Sequence, residues 1–162
     1  MNDALKNVKQ QARELIDTKQ PDAAIDILRV PESCDDVDLC ALLAEAYYAR
    51  GDTKGDIHSS HFFAARALSL GSSARPLKAI RAIGAFRKAQ YVEAAQALRE
   101  LAADGASVQT TYLCGLAHLY ADQPGEAVGW LEQAVEAEPA NQAFEAALRE
   151  AQTAVKGNGG RP

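Results

Sequence analysis

At 162 residues, 48% of them hydrophobic, the chain is long enough to bury a full hydrophobic core and needs no disulfide or metal staple. Its formal net charge of −5 argues against general nucleic-acid binding. Cys34, Cys40 and Cys114, odd in number and widely spaced, do not make a secreted disulfide framework and read as reduced thiols.

Strand formers are sparse and Ala, Leu, Glu and Arg abundant, so the expectation is an all-helical chain. Apolar periodicity predicts about nine helices, near 3–19, 22–30, 36–50, 57–70, 76–89, 91–104, 107–121, 124–137 and 140–156. Pro21, Pro76 and Pro124 suit first helical turns, and Pro31, Gly51, Gly71, Gly105 and Pro139 suit stops. Asp56, Ser73 and Ser107 are expected N-caps, because a short side-chain oxygen accepts from the orphan amides of a first turn. The second helix is short and cut off by Pro31, which makes the first pair a degenerate repeat or a cap. Residues 53–60 lengthen the turn after the third helix by about one helical turn, so either the turn protrudes or the fourth helix begins early. The ninth helix sets Phe144, Leu148 and Val155 apart from Glu145, Arg149 and Glu150, as a solvating cap would. Residues 157–162 read as a flexible tail.

The motif with most information lies near the C-terminus. Leu113-Cys114-Gly115 precedes Tyr120, and Gly125-Glu126-Ala127, Trp130-Leu131, Ala134 and Pro139 follow at helical spacings. This pattern resembles a tetratricopeptide repeat (TPR). Tyr91-Val92-Glu93-Ala94 and Leu98 parallel its second half, with Gly84 or Ala82 as the small residue of the preceding helix. Leu43-Ala44, Tyr47, Gly51-Asp52 and Ala67-Leu68-Ser69-Leu70 give another copy around the insertion. The resemblance implies an all-α, right-handed superhelix of stacked antiparallel helix pairs. It further implies one TPR-like domain over 1–156, with a degenerate pair at 1–31, repeats at 36–71, 75–106 and 107–140, and a capping helix at 141–156.

Chemistry is thinly represented. His58 and His61 at i and i+3, and Cys34 and Cys40 among Asp35, Asp36 and Asp38, are the nearest approach to a zinc site. No Cys-x-x-Cys pair supports it, so the expectation is no metal, with Cys40 and Cys114 as small buried hydrophobes. No Gly-x-Ser-x-Gly and no phosphate-cradling glycine loop occurs, hence no catalytic residues, no cofactor and no enzyme are expected. Trp130, beside Leu131, is expected to pack. The longest stretch without formal charge, 105–121, is too polar to span a bilayer, and the N-terminal residues lack an apolar run. A cytoplasmic protein without membrane insertion is the expectation.

TPR arrays commonly hold peptides against the first helix of each pair. On those helices Tyr48, Phe86, Tyr112, Leu116 and Tyr120 are the expected apolar groove contacts, and Arg81 and Arg87 the charged ones. The alternative is that neighbouring helices cover this stripe, since one helical face does not distinguish core from groove. From Arg75 to Arg99 six basic residues face Glu93 alone, a balance of +5, and from Ala121 to Val155 seven acids face Arg149 alone, a balance of −6. Such a field steers an acidic partner to the middle of the chain or drives self-association. Lys9 and Arg13 imitate the first pair of a carboxylate-gripping TPR groove, but Glu45 on the next first-position helix repels a carboxylate. The expected function is a non-enzymatic TPR adaptor or scaffold that binds a protein or peptide segment. A small cytosolic chaperone of the type III secretion kind and a homo-oligomeric assembly protein remain open beside it.

Overall fold

The structure, a computed structural model, describes residues 2–29 and 35–159. Among them are nine α-helices and no strand: α1 (Asn2–Asp17), α2 (Pro21–Ile27), α3 (Val37–Arg50), α4 (Lys54–Ser69), α5 (Arg75–Arg87), α6 (Tyr91–Ala103), α7 (Val108–Tyr120), α8 (Pro124–Ala137) and α9 (Gln142–Asn158). Each falls where the apolar periodicity places a helix. Val30, Pro31 and Cys34, and residues 160–162 of the expected tail, lie outside the described residues.

The chain divides into two compact units, Met1–Lys88 with α1–α5 and Ala89–Pro162 with α6–α9. In the first, each helix packs on its neighbours in sequence, and alternate helices α1, α3 and α5 also touch. In the second the same holds for consecutive helices, and α7 also touches α9. Neighbouring helices joined by short connections run antiparallel. Contact between every second helix is what stacked helix pairs produce.

Three of the turns between helices repeat in backbone detail. Lys19, Ala89 and Asp122 adopt left-handed φ values of 60°, 58° and 58°, and each is followed by a glutamine at the next helix's N-cap position, Gln20, Gln90 and Gln123. The Lys19 amide donates to the Ile16 carbonyl at 3.0 Å and the Gln20 amide to Leu15 at 2.8 Å, and Asp122 and Gln123 repeat this on Leu119 and His118. These are Schellman bonds, which satisfy the last carbonyls of the helix. In the α3–α4 turn Gly51 holds the left-handed position at φ 57°. Lys19 and Gly51, and again Ala89 and Asp122, are separated by close to the ~34 residues of a TPR.

The longer α3–α4 connection resolves into an early helix. Thr53, not Asp56, is the N-cap of α4. Its hydroxyl accepts from the Asp56 amide at 3.1 Å, while the Asp56 carboxylate accepts from the Thr53 amide at 3.2 Å. Asp56 therefore sits one turn inside as the reciprocal member of a capping box, a place its short acceptor side chain fills equally well. Ser73 is likewise displaced: Ala74 is the N-cap of α5 and makes no side-chain cap bond. There Pro76 within the first turn lacks an N–H, so one of the orphan donors is already absent. Ser107 caps α7 as expected, accepting from the Thr110 amide at 3.1 Å.

Packing rests on small residues. The first unit's core joins Ala12, Cys40, Leu43, Ala64 and Leu77 from α1, α3, α4 and α5 with Leu28, the residue that closes α2. In the second unit Gly115 on α7 faces Leu131 on α8, and a Cβ on Gly115 would lie 2.6 Å from Leu131 Cγ. Gly84 on α5 has the same relation to α4, since its Cβ would lie 2.8 Å from that of His61. Gly84 is thus the close-approach residue toward α4, while Ala82 is also fully buried.

Asp56 is buried, 2% exposed. Its carboxylate accepts from Arg50 Nε at 3.0 Å, and Arg50 also reaches Asp22 at 3.1 Å and lies 5.2 Å from the centre of the Tyr47 ring. One guanidinium thus ties α2, α3 and α4. The Arg50 hydrogen bond, opposed by burial, holds the Asp56 carboxyl below its ordinary range. A carboxyl shifted down stabilises the fold fully above its unfolded value of about 4 and loses that contribution as pH falls further.

Three outcomes follow for stability, all read by urea denaturation. Gly115→Ala forces a methyl into Leu131 and is expected to cost about 1–3 kcal/mol, whereas Gly129→Ala, with no atom within 4 Å of the new Cβ, is expected to gain about 0.5–1 kcal/mol from helix propensity. Asp56→Asn is expected to cost about 1.5–3 kcal/mol at pH 7, and the gap from the parent should narrow as pH falls below about 4.

Candidate protein-interaction surface

In the first unit the side formed by α1, α3 and α5 carries the candidate surface. Glu45 and Tyr48, three residues apart on α3, face Pro76, Ala79 and Ile80 on α5 across an open hollow of about 340 Å³. Its floor is Ile80, 5% exposed, and its wall is Tyr48, 43% exposed. Pro76 and Ala79 are too short to fill the space opposite the tyrosine, so a hollow remains.

The charges along this side are consumed locally. Arg13 of α1 grips both oxygens of Glu45, with Nη2 at 3.2 Å from Oε1 and Nη1 bonded to Oε2. The Glu45 hydrogen bond raises the Arg13 pKa against the desolvation that would lower it. Lys9 Nζ donates to Asp36 at 2.8 Å and to Asp38 at 3.1 Å. Burial alone would lower the Lys9 amine and raise the Asp36 carboxyl, and the bond between them reverses both shifts. Lys9 and Arg13 are therefore engaged with the chain's own carboxylates, and Glu45 meets Arg13.

The sequence-derived contacts separate into two groups. Tyr48, Arg81, Phe86 and Arg87 belong to the first unit, and Tyr112, Leu116 and Tyr120 to the second. Phe86 and Arg87 follow Ala79 and Ile80 by seven residues and share their helical stripe. Phe86 is half-buried and Arg87 exposed. Arg81, one residue and about 100° beyond Ile80, lies off that stripe and is half-buried. In the second unit the Tyr112 ring is half-buried 4.4 Å from that of Phe144 on α9, and its hydroxyl is pushed up in pKa chiefly by burial. Leu116 is half-buried against the cluster of Ala127, Leu131, Ala147 and Ala151. Tyr120 is 47% exposed, with its ring 5.1 Å from Tyr91 on α6.

Sequence reasoning does not single out Pro76, Ala79 or the Glu45–Arg13 pair as parts of a hollow. A signal for the α5 wall exists, since stepping back seven residues from Phe86, a near-integral number of turns, lands on Ala79. The Arg13–Glu45 pair spans 32 positions, and no local pattern marks it.

The groups considered for chemistry are dispersed. His58 is exposed, while His61 is buried with Nδ1 3.2 Å from Lys88 Nζ. His118 is buried between Arg99 and Gln123. Cys40 and Cys114 are buried, and desolvation pushes the Cys114 thiol up to about 11, which disfavours the reactive thiolate. Among the described residues no three His, Cys, Asp or Glu side chains are placed to hold a metal ion. Leu131 is fully buried, and Trp130 beside it half-buried.

No family model matches the chain, and no curated protein matches it in sequence. Solved structures do. MamA of AMB-1 superposes with a TM-score of 0.76 at 14% identity, covering 93% of this chain and 88% of that one. MamA, residue 41 to the end, from Desulfovibrio magneticus RS-1 gives 0.69 at 18% identity, with 93% and 89% covered. A thermophilic TPR protein of Thermus thermophilus gives 0.53 at 17% identity, with 90% and 80% covered. At these identities the likeness speaks for the fold alone, and it agrees with the helix pairs, their turns and their small-residue contacts. In fold, the chain is an all-α, TPR-like protein.

Proposed function

We propose that the chain is a non-enzymatic TPR adaptor or scaffold, acting in the cytoplasm, that captures a segment of another protein. The observation that supports this reading is the apolar hollow between α3 and α5, edged by the exposed ring of Tyr48 and offering Glu45 only in a pair with Arg13. Such a surface buries an apolar side chain of a partner, and its one carboxylate, Glu45, is held by Arg13. Among the described residues no helix is long and apolar enough to cross a membrane.

The packing in the second unit bears on how the proposal is tested. Tyr112 and Leu116 rest on the α9 cluster, so removing them disturbs folding as well as any surface. Tyr48 offers a cleaner probe. Tyr48→Ala is expected to change the unfolding free energy by no more than about 0.5–1 kcal/mol and to weaken partner capture about tenfold or more, as loss of a buried aromatic anchor does. Tyr112→Ala is expected to cost about 1–3 kcal/mol of stability. The measurements are capture of native partners from host extract followed by titration, with urea melts of each variant. Unchanged partner affinity in a folded Tyr48→Ala protein would remove the hollow from the function.

A further inference from the structure

We propose that Asn158 is a site of self-modification, at which the side-chain amide is lost through a cyclic imide, and that the last turn of α9 sets the rate. The chain has four asparagines, Asn2, Asn7, Asn141 and Asn158, and Asn158 alone is followed by a glycine. Glycine has no Cβ to crowd a ring closure and adopts backbone angles closed to other residues. Asn7 precedes Val8, whose stiff β-branched side chain obstructs the same closure. Asn141 is fixed at the N-cap of α9, where its Oδ1 accepts from the Ala143 amide at 3.2 Å and its Nδ2 donates to Glu138 at 3.0 Å.

The step balances with water and hydroxide alone. Hydroxide takes the proton of the Gly159 amide, and the nitrogen bonds to Asn158 Cγ. The Cγ–Nδ2 bond then breaks, and ammonia leaves with a proton from water. A second water opens the ring at either carbonyl and leaves aspartate or isoaspartate at position 158.

The structure places this pair where the helix gates it. Asn158 is the last residue of α9, and residues 155–159 are all exposed. The Gly159 amide donates to the Val155 carbonyl at 3.1 Å, and while that bond holds the nitrogen faces Val155 rather than Asn158 Cγ. It is the closing bond of a helix end, which frays, and Gly157 in the same turn lowers the helix propensity further. Fraying releases the nucleophile. The product then resists re-closure, because a new carboxylate sits at the negative end of the helix dipole, and isoaspartate adds a backbone carbon that breaks the i→i−4 spacing. Val155 and Lys156, on that turn, line a hollow with Gly125 and Val128 of α8, so the end of α9 and this rim change once and in one direction.

The test incubates the full-length chain at mildly alkaline pH, folded or in guanidinium chloride, and maps each asparagine by digestion and mass spectrometry. Asn158 is expected to convert in the folded chain at least tenfold faster than Asn7 or Asn141, with isoaspartate among the products. Unfolding should speed it at least threefold. Gly159→Ala should slow it at least tenfold; the backbone there is right-handed and the new Cβ would lie 3.6 Å from the Val155 carbonyl oxygen, an ordinary contact, so circular dichroism should show the helix retained. An Asn158 that stays intact in the folded chain after the unfolded chain has converted would overturn the proposal. Equal rates in the two states would remove the helix as the gate, and aspartate without isoaspartate would remove the cyclic imide.

Discussion

The structure depends on how closely neighbouring helix backbones approach one another. Ala12, Ala44, Ala64, Ala67, Ala127 and Ala134 are all fully buried. A methyl group at these sites lets two helices pack at the short end of the usual interaxial range. Where even a methyl is too much, glycine appears: Gly115 against Leu131 and Gly84 against His61. Once adjacent helices are this close, the larger apolar residues of each helix are displaced to its flanks. They must then be covered by the next helix or stay at the surface. That need for a neighbour is why a helix pair of this kind stacks rather than standing alone.

Ion pairs then settle what the surface offers. Arg50 holds Asp56 and Asp22, Arg13 holds Glu45, and Lys9 holds Asp36 and Asp38. Each joins residues from different helices or a helix and the turn before one. The pairs differ in worth, because Asp56 is buried whereas Arg13 is 45% exposed, and an exposed pair contributes little to stability. The Arg13–Glu45 pair matters for another reason. It removes a carboxylate charge from the edge of the hollow and commits a guanidinium that would otherwise await a ligand. The result is an apolar recess whose own rim is electrically quiet.

Legibility in the sequence follows the range of the interaction concerned. Helices are readable because periodicity and the Pro and Gly punctuation act within a few residues. Ser107 is readable as a cap for the same reason. Asp56 is misplaced by sequence reasoning because a capping box has two acceptor residues three apart, Thr53 and Asp56, and either fits the N-cap preference taken singly. Ser73 is misplaced because the proline of the first turn relieves the need for a capping side chain. The left-handed Lys19 and Ala89 are not legible at all, since neither is a residue type that signals positive φ as glycine does, whereas Asp122 is of a type that visits that region more often. The extra residues at 53–60 leave two geometries open, and burial of Asp56 against Arg50 explains why the chain extends the helix instead of protruding.

The harder question is whether the apolar stripes of the first-position helices are core or groove, and it turns on the partner helix rather than on the stripe. Tyr48 and Tyr112 are the same residue type on first-position helices, the one near the C-terminal end of α3 and the other near the N-terminal end of α7. Opposite Tyr48, α5 presents Pro76 and Ala79, side chains too short to reach across, and a recess of about 340 Å³ stays open. Against Tyr112, α9 presents Phe144, whose ring closes to 4.4 Å. Buried side chains close-pack and leave few voids, so one large residue on the next helix half-covers the tyrosine it meets, and two small ones leave a recess beside it. Side-chain size across the pairing, more than hydrophobicity along the helix, decides where helices of this kind leave a recess between them.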